Sequence, residues 1–498
     1  MINKLINTPP DLSRVIQHRL NSSVAATSVA ALTRQKNRLK TWPVLTLFLT
    51  ASLTCSSVVK AQTDSTENAQ QASSKPVAEQ PAPSLPNPLD LNTLLNTYAD
   101  KSPEIDMQMA NIDLAKASLD GNQVGNAWKA NIEGRLGRRE FAEESQPYNL
   151  LALHVGKVLY DFDRSDSLLQ SDQSKLAQQT EMLSLMENKQ RLNVVKAYLN
   201  VLLADFQYRI DNEAMAVEYV SYDKVKDRHA IGQLSDVDLL LSEQKYQNSL
   251  VKRQQAEQMQ LQTRIELANV IGLPDTRPDE LKLPDLKAFN NRSVKDVQLQ
   301  DLQKQVLANN PQLKALKQAQ QAQIYALQNA QKTSSPTIRA DAWVGPLSSY
   351  PETKEGNWMA TLSVDVPLYD GGAKSSAMAK VQAQLNKVKA ESQQLEQTLR
   401  SEVSDIYFKL KLLGAEKKQH QVFGDYADLY LDYSRGLYEN ESSTDLGDAM
   451  VRLSEANYDM VAWRFKQALL WLQLDYLQGK TVSITPDKNQ LAQTDVAK

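Results

Sequence analysis

Two short stretches of this chain carry charged and hydroxyl side chains at one repeated spacing. Arg228-x3-Gly232-x2-Ser235-x2-Asp238-Leu239 is matched by Arg435-x3-Glu439-x2-Ser442-x2-Asp445-Leu446, with only the Gly/Glu position differing. A Ser with an Asp three residues on can cap a helix start, because both side chains accept bonds from its unpaired N–H groups. Gly232 admits a backbone turn that Glu439 resists, so the second turn is expected to be stiffer or differently shaped. Asp448 follows Asp445 by three residues and shares its helix face. Carboxylates held close attract cations and raise one another's pKa. The same aspartates can simply cap a helix and complement its dipole. This is the chemistry of turns and charged surfaces.

Nothing else is arranged for catalysis. The chain has no Gly-rich phosphate loop and no G-x-S-x-G elbow, and its one Cys is Cys55. His18, His154, His229 and His420 are scattered, with no pair at metal-ligand spacing. No enzyme activity, cofactor or metal centre is expected. A formal charge of -3 over 498 residues argues against a nucleic-acid partner.

The motifs must be positioned by unusually long elements. Asp163 to Ile231 contains no Gly or Pro, which predicts a helix of roughly 100 Å. Leu192, Val195, Leu199, Leu202 and Phe206 step by three and four along it, the spacing of a coiled-coil seam. The chain reverses at Gly232–Ser235, and a return helix stops at Gly272-Leu-Pro274. A second copy follows at an offset of 207 to 209 residues: Ser102-Pro103 recurs as Asn310-Pro311, and Leu159-Tyr160-Asp161 as Leu368-Tyr369-Asp370. Each copy reads as a first helix (104–125, 311–332), a strand pair, and a long helical hairpin.

The strands alternate with period two. Trp128, Ala130, Ile132 and Leu136 oppose Lys129, Asn131, Glu133 and Arg135, and Trp358, Ala360, Leu362, Val364 and Val366 oppose Asn357, Met359, Thr361, Ser363 and Asp365. Partners are expected at about 148–157 and 337–345, across loops 140–147 and 346–356. One apolar and one polar face over about ten residues is the pattern of a transmembrane barrel strand. Four strands cannot close a barrel, so they either form a soluble sheet on a core or are pooled among several chains.

The N-terminus reads as an export signal. Arg34, Lys36, Arg38 and Lys40 precede an apolar run from Trp42, and Val59-Lys60-Ala61 supplies small residues for cleavage after Ala61. Loss of residues 1–61 removes eight Lys/Arg and one Asp, taking the charge from -3 to -10. Lipidation of Cys55 is disfavoured because Ser52 stands where a lipobox has Leu. Residues 62–90, rich in Gln, Ser and Pro, read as a linker, 91–281 as the first repeat, 282–300 as a connector, 301–480 as the second repeat and 481–498 as a disordered tail.

With Val366-Pro-Leu-Tyr-Asp-Gly-Gly372 after a strand, Ile271-Gly-Leu-Pro274, the Arg228…Asp238 motif and the duplication, the chain resembles the TolC-like outer-membrane efflux protein family over about residues 90–480. The resemblance implies a mainly α fold: long antiparallel coiled coils forming an α-barrel, plus four strands per chain in a trimeric twelve-stranded β-barrel. It implies an outer-membrane duct of a tripartite efflux or type I secretion system, with the helices in the periplasm of a Gram-negative bacterium. Partners would be lipid, a periplasmic adaptor and an inner-membrane pump. Arg228, Gly232, Ser235, Asp238, Arg435, Glu439 and Ser442 would meet the adaptor at the tips, and Asp445 and Asp448 would line the pore gate. The Tyr and Arg with which better-studied members latch this turn are Gly436 and Glu441 here. The alternatives are a periplasmic coiled-coil adaptor, which would need a β-rich stretch this chain lacks, and a structural coiled coil.

Overall fold

The computed structural model describes residues 85–141, 144–147, 149–290, 292–294, 297–348, 355–440 and 446–484. Helix α1 (Leu91–Thr97) leads to α2 (Pro103–Gly125). Four strands follow, β1 (Lys129–Arg135), β2 (Arg138–Phe141), β3 (Glu144–Pro147) and β4 (Leu150–Tyr160). The first long hairpin is α3 (Arg164–Ala230) and α4 (Asp236–Val270). After α5 (Lys287–Asn290) and α6 (Leu299–Asn309), the second repeat runs α7 (Pro311–Gln331), β5 (Thr337–Ser348), β6 (Glu355–Asp365), α8 (Ala373–Glu439) and α9 (Leu446–Leu477). Both α3 and α8 have 67 residues, about 100 Å at 1.5 Å per residue.

Equivalent sequence makes equivalent junctions. Ser102 Oγ accepts the Glu104 N–H (3.3 Å) and Asn310 Oδ1 accepts the Leu313 N–H (3.1 Å), each beside a Pro at the first helical position. Where strand passes into long helix, Asp161 accepts the Ser165 N–H at 2.9 Å and Asp370 accepts the Lys374 N–H at 3.0 Å. The turns between are left-handed in both repeats: Phe162 and Asp163 in the first, Gly371 and Gly372 in the second.

Strands β1-β4-β5-β6 form one antiparallel sheet, joining the hairpin of each repeat. The expected loop 140–147 is instead largely a small hairpin of β2 on β3. In the four-stranded sheet the predicted alternation holds. Trp128, Ile132, Leu153, Val344, Trp358, Leu362 and Val364 share a face and are about half or more exposed. Among the described residues no helix is long and apolar enough to cross a membrane.

The core is a band at mid-height of the long helices. Val194, Val195, Tyr198 and Leu199 of α3 and Val403, Ile406 and Leu413 of α8 are buried with Trp471, Leu472 and Leu474 of α9. Short segments outside the long helices also pack into this core. Leu89, at the end of the predicted linker, is buried and bonds to Glu280 and Lys282 (2.8 and 2.9 Å). Leu286, Phe289 and Val294 of the connector, and Val482 and Ile484 of the expected tail, are also buried. Composition marks such stretches as too polar to fold alone, yet single apolar residues find a groove that the helices provide. Tyr198 is the pin: its hydroxyl lies between the carbonyls of Leu89 and Lys282 (2.7 and 2.5 Å), and burial pushes its pKa up. Tyr198→Phe should cost on the order of 1–3 kcal/mol, the cost of leaving buried carbonyls unpaired, read as a lower denaturant midpoint with unchanged slope.

Candidate functional site

The first helix reversal is built by local backbone chemistry. Gly232 has φ +75°, and the Gln233 N–H reaches back to the Arg228 carbonyl at 2.9 Å, closing the end of α3. An added Cβ on Gly232 would meet no neighbour, so its requirement is conformational rather than steric. Ser235 and Asp238 form a reciprocal capping box: Ser235 Oγ accepts the Asp238 N–H (3.3 Å), and Asp238 Oδ2 accepts the Ser235 N–H (3.1 Å). The Ser235 hydroxyl, followed by its N–H, holds the Asp238 carboxyl below the usual range. Arg228 Nε donates to Gln233 Oε1 at 3.4 Å, and His229 lies 2.7 Å from Asp236. Ile231, Val237, Leu240 and Leu241 stand more than half exposed around this turn. These apolar side chains were legible only as breaks in the expected polarity of a solvated turn.

The second reversal is not a copy. Glu439 is the last residue of α8, whereas Gly232 lies beyond the end of α3, so this helix runs further before it turns. A non-glycine residue enters the left-handed region only at a cost, and here Asn440 caps with ordinary dihedrals, its Nδ2 bonding to the Gly436 carbonyl at 2.7 Å. Arg435 pairs with Asp432 at 3.7 Å across an exposed helix face. Ser442 and Asp445 lie outside the described residues. Asp448 is in the first turn of α9 and pairs with Arg452 at 2.9 Å, while the Arg452 guanidinium sits over the Tyr430 ring at 5.7 Å. The carboxylate raises the Arg452 pKa further. The Asp-x3-Arg spacing was visible in the sequence, and it gives Asp448 a cation partner that the gate reading did not include.

The second tip is held against the first hairpin. Ser454 Oγ donates to Glu213 at 2.6 Å, and a Cβ on Gly447 would lie 2.7 Å from a Val217 methyl, so α9 approaches α3 closely there. Among the described residues no group of three or more His, Cys, Asp or Glu could hold a metal ion.

The described residues thus build two helical hairpins on a four-stranded sheet with one exposed apolar face. Residues 302–479 match the family model described as outer membrane efflux protein. No curated protein sequence matches the chain. The fold is shared with solved structures. A membrane protein from Pseudomonas aeruginosa aligns with TM-score 0.64 at 15% identity, covering 80% of this chain and 92% of that one. The Campylobacter jejuni CmeC outer membrane channel aligns with TM-score 0.63 at 12% identity, covering 81% and 89%. The Neisseria gonorrhoeae MtrE outer membrane channel gives 0.62 at 15%, covering 80% and 91%. The second half of the chain thus carries an outer membrane efflux protein domain, and the chain as a whole shares its fold with outer membrane channels.

The capping box generates a prediction. Because the folded pKa of Asp238 is depressed, its contribution is present above the ordinary aspartate pKa and lost as pH falls through the lowered value. Amide hydrogen-exchange protection at residues 236–240, taken relative to the intrinsic rate at each pH, should fall under acid in the wild type, and that acid response should vanish in Asp238→Asn. Ser235→Ala should weaken the first turn of α4 by about 1 kcal/mol at neutral pH, seen as faster exchange confined to that turn.

Proposed function

We propose that this chain is the outer-membrane duct of a tripartite efflux or type I secretion system. Three copies pool their strands into one twelve-stranded barrel in the outer membrane of a Gram-negative bacterium, and the helices form a tunnel in the periplasm. An adaptor meets the tips, and an inner-membrane pump supplies the cargo. On this reading the export signal ends at Ala61, and a linker leads to the repeats.

The carrying observation is the sheet: its apolar face is bare, and β1 and β6 each have one partner within the chain. Lipid offers no water to an open strand edge. The duplication supports the same reading. Within the chain, α7 packs on the start of α3, where Ser167, Ser171 and Ser174 are buried and Ser171 donates to the Ala322 carbonyl at 3.0 Å. Their counterparts on α8, Ser376, Lys380 and Ala383, are exposed, as are Met107 and Leu114 of α2. A neighbouring copy's α2 fits the face of α8 that α7 fills on α3. The expected test is a Lys380→Cys, Leu114→Cys double variant, which should crosslink between chains up to a trimer and no further. Crosslinking that never joins chains, in folded protein, would overturn the assembly.

At the tips, Arg228, Gly232, Ser235, Asp238, Arg435, Glu439 and Ser442 are assigned to adaptor contact. The exposed Ile231, Val237, Leu240 and Leu241 supply an apolar centre for it. Asp445 and Asp448 are assigned to the pore mouth, with Arg452 setting how much of the Asp448 charge is felt. In planar bilayers, Asp445→Ala with Asp448→Ala should reduce cation preference and remove block by multivalent cations, while Arg452→Gln should increase both. Unchanged selectivity in both variants would place the gate elsewhere.

A further inference from the structure

On the polar face of the sheet, one set of side chains ties three strands and both repeats together. The His154 ring nitrogens lie 3.1 Å from Asn131 Oδ1 on β1 and 3.0 Å from Asp341 Oδ1 on β5. The same imidazole stacks on Trp343 of β5, with centroids 4.5 Å apart and planes 12° from parallel. Trp343 Nε1–H reaches across β4 to Glu133 Oε2 on β1 at 3.0 Å, passing the buried Ala152, which pairs with Glu133 in the ladder. Arg135 pairs with Glu133 (2.7 Å), and Arg339 lies 3.7 Å from Asp341. Gly156 stands opposite Asp341, and a Cβ there would collide with the Asp341 carboxylate and crowd His154. Glycine at 156 is what lets the His154–Asp341 contact form.

The position of this cluster gives it a task. The β1–β4 register is constrained by the short connection between those strands, but residues 161–336 separate β4 from β5, so no turn sets that seam. The apolar face cannot set it either. A slip of two residues keeps every side chain on its own face, because the pleat repeats every two. Such a slip moves one repeat along the strands by about 7 Å relative to the other, and the two long hairpins start directly from β4 and from β6, the partner of β5. We propose that His154, Trp343, Asp341, Glu133 and Asn131, with Gly156 as the gap that admits them, form a register clamp that levels the two repeats and hence the two tips. They are positioning residues. Only the observed register puts imidazole over indole while the indole N–H meets Glu133. The assignment goes beyond the duct reading, and its test separates the two.

The test uses outer-face Cys pairs in the mature protein, from Gln62 onward, inserted in membranes. Val155 and Ala342 are partners in the observed register, and Val155 with Ala340 or Val344 reports a slip of two. In the otherwise unaltered chain, Val155→Cys should crosslink strongly with Ala342→Cys and only at background with Ala340→Cys or Val344→Cys. Adding His154→Ala with Trp343→Leu should lower the native-pair yield and raise a slipped pair severalfold. Gly156→Val should do the same with the aromatic pair still present, and Trp343→Phe, which keeps the stack and loses the N–H, should fall between. Retention of the native pair alone in all these variants would overturn the clamp and leave the register to the β4–β5 irregularity between Val158 and Tyr160 and to Gly345, where β5 presses on Leu151 and Ala152. Variants that insert and assemble but give slipped pairs support the clamp; an unaltered chain that does not enter membranes overturns the duct reading instead.

Discussion

A peptide group at the edge of a sheet in lipid has nowhere to place its hydrogen bond, and the cost of several kcal/mol for each unpaired group exceeds what any surface side chain can return. On the proposed duct reading, the arrangement of the strands answers to that limit. Four strands with one apolar face are too few to close, and on the proposed duct reading the sheet is completed among copies. On that reading a repeated chain is suited to the task, because each repeat can offer a neighbouring copy the surface that it accepts from the other side.

Below the sheet the governing physics changes from strand pairing to helix packing. A 67-residue helix has no compact core to join, so its stability comes from a seam along its length and from one band where short elements wrap it. In that band Leu89, Phe289, Val306 and Val482 come from four separate segments and pack on the same helices. Small side chains on α3 and α7, Ser171 and Ala322 among them, let the helices approach until a side-chain hydroxyl bonds a neighbouring carbonyl. At the far end the demands are local again: one capping box, one left-handed glycine and one Asp–Arg pair define where each hairpin turns.

The two repeats have diverged where their neighbours differ. Asp161 is buried within the chain while its counterpart Asp370 is exposed, and Leu159 and Tyr160 are half exposed where Leu368 and Tyr369 are almost fully so. Gly232 turns the first tip, and Glu439 prolongs the second helix.

Much of this was legible in the sequence because it depends on short-range periodicity and on residues with narrow backbone preferences. Alternation over Trp128–Leu136 and Trp358–Val366 fixed which side chains share a face, Pro103 and Pro311 marked helix starts, and Gly232 with Ser235 marked the reversal, all local properties of the chain. The cap role of Ser235 and Asp238 was likewise visible as a spacing. Tertiary structure alone decided the contacts between residues far apart in sequence: Tyr198 holding Leu89 and Lys282, Gly447 seated against Val217, and His154 meeting Asp341 from the other repeat. It also decided where linker, connector and tail cease to be polar strings, since burial of Leu89 or Val482 depends on a groove that exists only after distant helices have packed. Periodicity reports the face a residue is on, while the partner it finds there is set by how whole helices and strands align.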